Sequence, residues 1–316
     1  MGFCISKDET QFIKGIAIIC VILSHMDLFE CGGAIGVHLF LIVSGYGIYC
    51  SCERNKEKYW RRRILAVYVP YLFSSIILDS VRYIVLNNQY ISFKNIIISI
   101  IGLDFGLNID PTMWYISYIF VYYFIAFCVM KIKSYSVYVA IIIGMFLIII
   151  VTACGYKHII WHQGTNVWAY GVSFPFGMLV AKIRKNKKFS IFMKDSILLI
   201  SAISVIVLLR KSHDSWIKMI FTFSMAFLIL IFSVIIFKCK KRLLEKCIQI
   251  IVSIGKNSYF MYLNEALIIG IVSKMLIRIQ GMNVFKVIVV IGISYMTAVL
   301  FNKLYKKYIF NVVRNV

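Results

Sequence analysis

Acidic side chains and proline are both scarce in this chain: Asp and Glu together number 13 among 316 residues, and there are only 3 prolines. Paired cysteines are missing as well. The 9 cysteines are scattered, odd in number and mostly inside apolar runs, with no pair of closely spaced doublets that would read as a zinc site or a disulfide framework, so they read as small core residues. Low-complexity tracts are lacking, no internal repeat is evident by eye, and no polar stretch is long enough for a separate globular domain. Charged residues make up 15% of the chain, against about 25% in an ordinary soluble domain, whereas 61% of residues are hydrophobic and 16% aromatic. A water-soluble fold of this size has too little interior to hide so much apolar side chain. Soluble-enzyme and nucleic-acid-binding readings therefore fall away, and the class is integral membrane protein.

Apolar runs of about 20 residues recur from end to end, and set against a bilayer core of about 30 Å they give ten candidate spans. These run approximately over 11–29, 33–52, 65–86, 112–132, 136–155, 165–183, 194–210, 217–238, 256–278 and 283–303. The stretch from Ile91 to Leu103 is apolar but short, and it reads as one interfacial or re-entrant segment. The N-terminus passes from Lys7, Asp8 and Glu9 straight into an apolar run too long for the core of a signal peptide, so that run reads as a span. The expected fold is an all-α membrane protein of about ten transmembrane helices, built as a single domain over residues 1–316.

The formal charge of +22 comes from 35 Lys and Arg. In a soluble protein that excess would point to a polyanion, but here the cations cluster between apolar runs, as orientation signals beside anionic headgroups do. The loops after spans two, four, six and eight carry Arg54 to Arg63, Lys131 with Lys133, Lys182 to Lys188, and Lys238 to Lys246. The tail adds Lys303, Lys306, Lys307 and Arg314. The opposite loops are poorer in cations, so both termini are expected in the cytoplasm, with membrane lipids and no nucleic acid as partners.

Ionisable and polar groups inside spans are costly and mark candidate sites. Lys14 and His25 lie eleven residues apart on the first span, about three helical turns, which leaves them near one face at ~16 Å separation. His25 has the side chain whose pKa suits proton transfer near neutrality, although a structural or headgroup-level histidine would look the same. His38 lies on the second span. Arg62 and Arg63 end a basic run that would hold a loop at the inner leaflet in any case, yet their planar forks also suit phosphate. Glu265, after Asn264 in the ninth span, is either a proton-relay carboxylate or the partner of a cation such as Lys256 or Lys274. Trp114 and Tyr115, like Trp161 and Trp168, read first as interfacial belt aromatics. Ser44-Gly45-Tyr46 reads first as a close-packing spot between helices. No cysteine or carboxylate set at ligand spacing accompanies the two histidines, so no metal is expected.

These residues together resemble the acyltransferase-3 family of integral membrane acyltransferases, which includes O-acetyltransferases of bacterial surface polysaccharides. Lys14-Gly15 through Ser24-His25 is similar to the opening motif of the family. Gly36-Val37-His38-Leu39-Phe40 through Val43-Ser44-Gly45-Tyr46 is similar to the second-helix motif, and Arg62-Arg63-Ile64-Leu65 through Tyr68-Val69-Pro70-Tyr71 to the basic entrance of the third. Met113-Trp114-Tyr115 and Ser258-Tyr259 through Tyr262-Leu263 match the motifs of helices four and nine. The chain departs from the pattern at Lys14, where the family has arginine, and at His38, Ala66 and Asn264.

The resemblance implies an O-acetyltransferase that moves an acetyl or other acyl group from acetyl-CoA to a hydroxyl of a surface glycan or its lipid-linked precursor. It implies His25 as the catalytic residue, Lys14, Arg62, Arg63, Ser44, Tyr46 and Trp114 as donor- or substrate-binding residues, and His38, Asn264 and Glu265 in support. Tyr46, Trp114 and Asn264 are candidate donors to a developing oxyanion. No tightly bound cofactor is expected, acyl-CoA being a substrate, and the implied location is the plasma (inner) membrane of a bacterial cell, multi-pass. A rival reading is a secondary transporter for a glycan intermediate or small solute, with Glu265 and the histidines as coupling groups, although so few prolines leave little scope for broken helices. The charge pattern makes one prediction directly. In a cysteine-depleted background, a cysteine at Asn108 is expected to react with a membrane-impermeant reagent added to intact cells while one at Asn186 stays protected; the reverse pattern would invert the topology.

Overall fold

The computed structural model describes residues 5–54, 58–86, 93–102, 112–130, 170–183, 215–238, 242–275 and 283–310, and these are helical apart from short turns and caps. In chain order the helices are α1 (Lys7–His25), α2 (Gly32–Arg54), α3 (Tyr59–Arg63), α4 (Val69–Leu86), α5 (Phe93–Ile100), α6 (Trp114–Val129), α7 (Ser173–Ile183), α8 (Ser215–Lys238), α9 (Arg242–Met275) and α10 (Asn283–Leu304). A π-helical segment, Ile64–Tyr68, joins α3 to α4, and another, Tyr305–Phe310, follows α10. Among the described residues four stretches are long and apolar enough to cross a membrane: Gly32–Cys52, Tyr59–Val81, Lys218–Phe237 and Val284–Phe310. Helices α6 and α7 are apolar but shorter.

Eight of the ten spans read from hydropathy coincide wholly or partly with these helices, whereas 136–155 and 194–210 lie outside the described residues. The short apolar stretch around 91–103 holds the eight-residue α5, which packs on α4. Helix α9 differs most from expectation. It begins at Arg242, well before the apolar run near 256, and its 34 residues span about 51 Å, longer than a bilayer core. Its first turns, with Leu244, Glu245, Lys246 and Cys247 exposed, are the polar extension that hydropathy does not count.

Helix α1 starts at a capping box: Glu9 N–H donates to Ser6 Oγ at 3.1 Å, and Ser6 N–H donates to Glu9 Oε2 at 2.6 Å. Asp8 and Glu9 in the first turn also suit the helix dipole. The helix ends at His25, and the chain turns through Asp27 at φ 58°, a left-handed conformation that a short polar side chain tolerates, into α2. Two helix pairs then form the frame: α1 lies against α9, and α2 against α7. Glycine sets both contacts. A Cβ on Gly15 would overlap the Ile251 backbone, and one on Gly255 would overlap the Gln11 carbonyl. On the other pair, Gly45 meets the Phe174 carbonyl and Gly177 the Ile42 carbonyl. The Ser44-Gly45 step is therefore a close-packing spot, with Gly45 as the residue that permits it.

Gly255→Ala is expected to push α9 off α1 and destabilise the protein by about 1–3 kcal/mol, the usual cost of overpacking. Gly47→Ala should be tolerated, since nothing lies within 4 Å of the added methyl. Thermal unfolding of the purified variants in detergent checks the pair; equal midpoints would refute the packing assignment.

Candidate active site

Helices α1 and α2 each turn one stripe toward a common cavity of 410 Å³. From α1 come Thr10, Lys14, Val21 and His25, and from α2 come Gly33, Val37, Phe40, Ser44 and Gly47, positions three, four or seven apart as one helix face requires. Gly33 and Gly47, both in its wall, are separated by ~21 Å along the helix axis. Because α1 and α2 are antiparallel neighbours, Thr10, Lys14 and Gly47 mark one end and His25 and Gly33 the other.

At the first end Arg63, the last residue of α3, joins Lys14 in the wall. Its guanidinium lies 5.6 Å from the Tyr123 ring centroid, a cation–π contact, and the Tyr123 hydroxyl is in hydrogen-bonding reach of both Arg63 and Ser44. Ser44 also bonds to Tyr115, so Ser44 ties the aromatic wall of α6 to α2. The Arg63 Nε is buried and has no acceptor among the described residues. Among the described residues that line the cavity, Lys14 and Arg63 are basic and none is a carboxylate.

At the second end His25 Nδ1 lies 2.6 Å from Glu265 Oε1 of α9. The Glu265 side chain is fully buried while that of His25 is 37% exposed. With Glu265 ionised, its carboxylate accepts and Nδ1 is the donor. The expectation that Glu265 pairs with Lys256 or Lys274 is corrected: both lysines are exposed, and the partner is a histidine 240 residues away. What brings them together is the glycine contact between α1 and α9.

Aromatic side chains line the stretch between the two ends. Trp114 stacks on Tyr170 with centroids 5.7 Å apart and planes at 17°, and Tyr115 meets Tyr262 edge-on at 5.6 Å. The Tyr262 hydroxyl donates to the Thr112 carbonyl. Trp114 is 9% exposed, so Trp114 and Tyr115 are cavity-wall residues and not headgroup-level belt aromatics. Trp161 and Trp168 lie outside the described residues. Ala66, a departure within the third-helix motif, also lines the cavity, as do Tyr123 and Tyr170, which carry no signal of it in a sequence with 20 tyrosines.

Besides Glu265, which stands behind His25, four sequence candidates lie off the cavity wall. His38 is 1% exposed, with Nδ1 2.6 Å from Ser173 Oγ on α7 and Nε2 3.2 Å from Thr222 Oγ1 on α8. It clamps three helices and supports the wall through Tyr170, whose ring centroid is 4.8 Å away. The Tyr46 hydroxyl accepts from the Ile5 N–H at 2.9 Å, and Tyr46 faces the chain start. Asn264 Nδ2 donates to Thr297 Oγ1 at 2.7 Å and to the Ser294 carbonyl at 3.2 Å, fastening α9 to α10. Arg62 is half-buried beside Arg63 but does not line the cavity. Lys14, His25, Ser44, Arg63 and Trp114 are the candidates that the fold gathers around one space, and Glu265 backs His25.

A family model for an acyltransferase domain matches residues 9–303. Neither a curated protein nor a solved structure matches the chain. The match takes in both ends of the cavity, from Thr10 on α1 to Glu265 on α9, and it sets the transporter reading aside. Over nearly its whole length, then, the chain belongs to the acyltransferase-3 family and is a membrane acyltransferase.

Proposed function

We propose that the protein is an O-acetyltransferase of the bacterial plasma membrane, using acetyl-CoA as donor and a hydroxyl of a surface polysaccharide, or of its lipid-linked precursor, as acceptor. The observation that carries this reading is a cavity that joins a cationic end to a histidine–carboxylate pair, with Lys14 and His25 ~16 Å apart along α1. Its length is comparable to the reach of a pantetheine arm. The phosphates of CoA pair with Lys14 and Arg63, whose buried N–H suits a charge-assisted bond to a phosphate oxygen, and the thread runs past Ser44, Phe40 and Val37 to present its thioester at His25.

At that end His25 Nε2 takes the proton of the acceptor hydroxyl as its oxygen attacks the thioester carbonyl. Glu265 holds the ring by Nδ1 and stabilises the imidazolium that forms. When the tetrahedral intermediate collapses, the C–S bond breaks and the imidazolium returns its proton to the leaving thiolate. The products are the ester and free CoA, and His25 ends as it began. Of the three residues offered by sequence as oxyanion donors, Trp114 lines the cavity, whereas Tyr46 and Asn264 are engaged elsewhere. The stacked Trp114 and Tyr170 give a flat apolar wall suited to the face of a sugar ring.

With both termini in the cytoplasm, Lys14 and Arg63 face the cytosolic pool of CoA and His25 faces the outer side, where surface glycans are finished. His25→Ala is expected to lower kcat by about 100- to 10,000-fold, and Glu265→Gln by on the order of 100-fold or more, each measured per molecule of folded, inserted protein. Lys14→Gln and Arg63→Gln are expected to raise the KM for acetyl-CoA by about tenfold with kcat nearly constant, while Lys14→Arg is tolerated. Acetyl release and transfer assays on purified variants check both halves. A wild-type kcat in well-inserted His25→Ala, or an unchanged KM in the Lys14→Gln, Arg63→Gln double variant, would refute the respective role.

A further inference from the structure

The π-helical segment Ile64–Tyr68 sits directly after Arg63 and contributes Ala66 and Val67 to the cavity wall. Its cause is visible in the chain. Pro70 has no N–H and, in an α-helix, its ring would collide with the carbonyl four residues earlier, so a widened turn relieves the clash. The Val69 N–H donates to the Ile64 carbonyl, five residues back. The next bond in that register would run from residue 70 to the Leu65 carbonyl, and proline cannot make it. The Tyr305 hydroxyl stands in its place, donating to the Leu65 carbonyl at 2.6 Å from 240 residues away. Two residues on, the Tyr259 hydroxyl donates to the Val67 carbonyl at 2.7 Å.

We propose that Tyr305 is a positioning residue for the donor: by capping the Leu65 carbonyl it holds the π-helical segment in the register that keeps Arg63 at the cationic end of the cavity. Tyr305 is 5% exposed and does not line the cavity, so it touches no substrate. Its ring packs among Phe73, Phe260 and Phe310, a setting that phenylalanine would keep while losing only the hydroxyl. Without that donor a buried carbonyl is left a bond short, and the segment gains by rotating it toward another partner. Arg63 is the residue that enters this segment, so the rotation carries its guanidinium off the Tyr123 face. The C-terminal π-helical turn thereby becomes part of donor recognition.

This inference rests on the reading of Lys14 and Arg63 as the CoA-phosphate site, and a double-mutant cycle separates the two. Binding of CoA to the purified full-length protein in lipid nanodiscs is measured for wild type, Tyr305→Phe, Arg63→Gln and the combination. Tyr305→Phe is expected to weaken CoA binding roughly three- to tenfold, with no further loss when added to Arg63→Gln, because it acts through that arginine. Wild-type binding by Tyr305→Phe, or losses that multiply in the double variant, would overturn the positioning role while leaving the site itself intact. Equal binding by wild type and Arg63→Gln would overturn the donor-site reading, and the role of Tyr305 with it.

Discussion

A carboxylate buried in the wall of a helical bundle sets the terms for the rest of this structure. Glu265 is fully buried, and a charge in that position is tolerable only with a close partner. The partner is His25, which means that α1 and α9 must pass near enough for a 2.6 Å contact at one end. That demand explains the glycines at the other end. Gly15 and Gly255 let the two backbones touch, and no other residue would fit at either position without moving a helix. Packing and chemistry are thus one constraint, because the approach that buries the carboxylate also aims the histidine.

The cavity follows from the same arrangement. With α1 packed on both α9 and α2, and α2 on α7, the cavity lies along the side of the α1–α2 pair and is walled by the aromatic side chains of α6. Along it, Lys14 and His25 are separated by about half the thickness of a bilayer core. Among the described residues, Lys14 and Arg63 line one end with no carboxylate in the wall, and His25, in contact with Glu265, lines the other. Apolar and aromatic walls between them lower the local dielectric and strengthen both.

The helices were legible in sequence because hydropathy is a local property, and so were Lys14 and His25, whose spacing on one helix face needs no tertiary information. Long-range partners were not. Nothing near Glu265 in the chain points to a histidine 240 residues away, and Lys256 and Lys274, each about two and a half turns from it, offered a plausible pairing that the structure does not make. Trp114 looked like a belt aromatic because a span end is where such residues usually sit; the stacking of Tyr170 on its face is what turns it inward. His38 could be read from sequence as a site residue or a structural one, and only the hydroxyls of Ser173 and Thr222 assign it to the frame. Pro70 was visible from the start, but a proline near the head of a membrane helix does not announce which tyrosine will replace its missing donor.

The central claim is that one cavity carries an acyl group from a donor on one side of the membrane to an acceptor on the other. Sealed inside-out membrane vesicles from the producing cell, given acetyl-CoA labelled in its acetyl group, test this directly. The expected result is label incorporated into glycan that a membrane-impermeant esterase cannot remove until the vesicles are opened. Label that the esterase strips from intact vesicles would show that donor and acceptor meet on the cytoplasmic face, and would contradict transfer through the cavity.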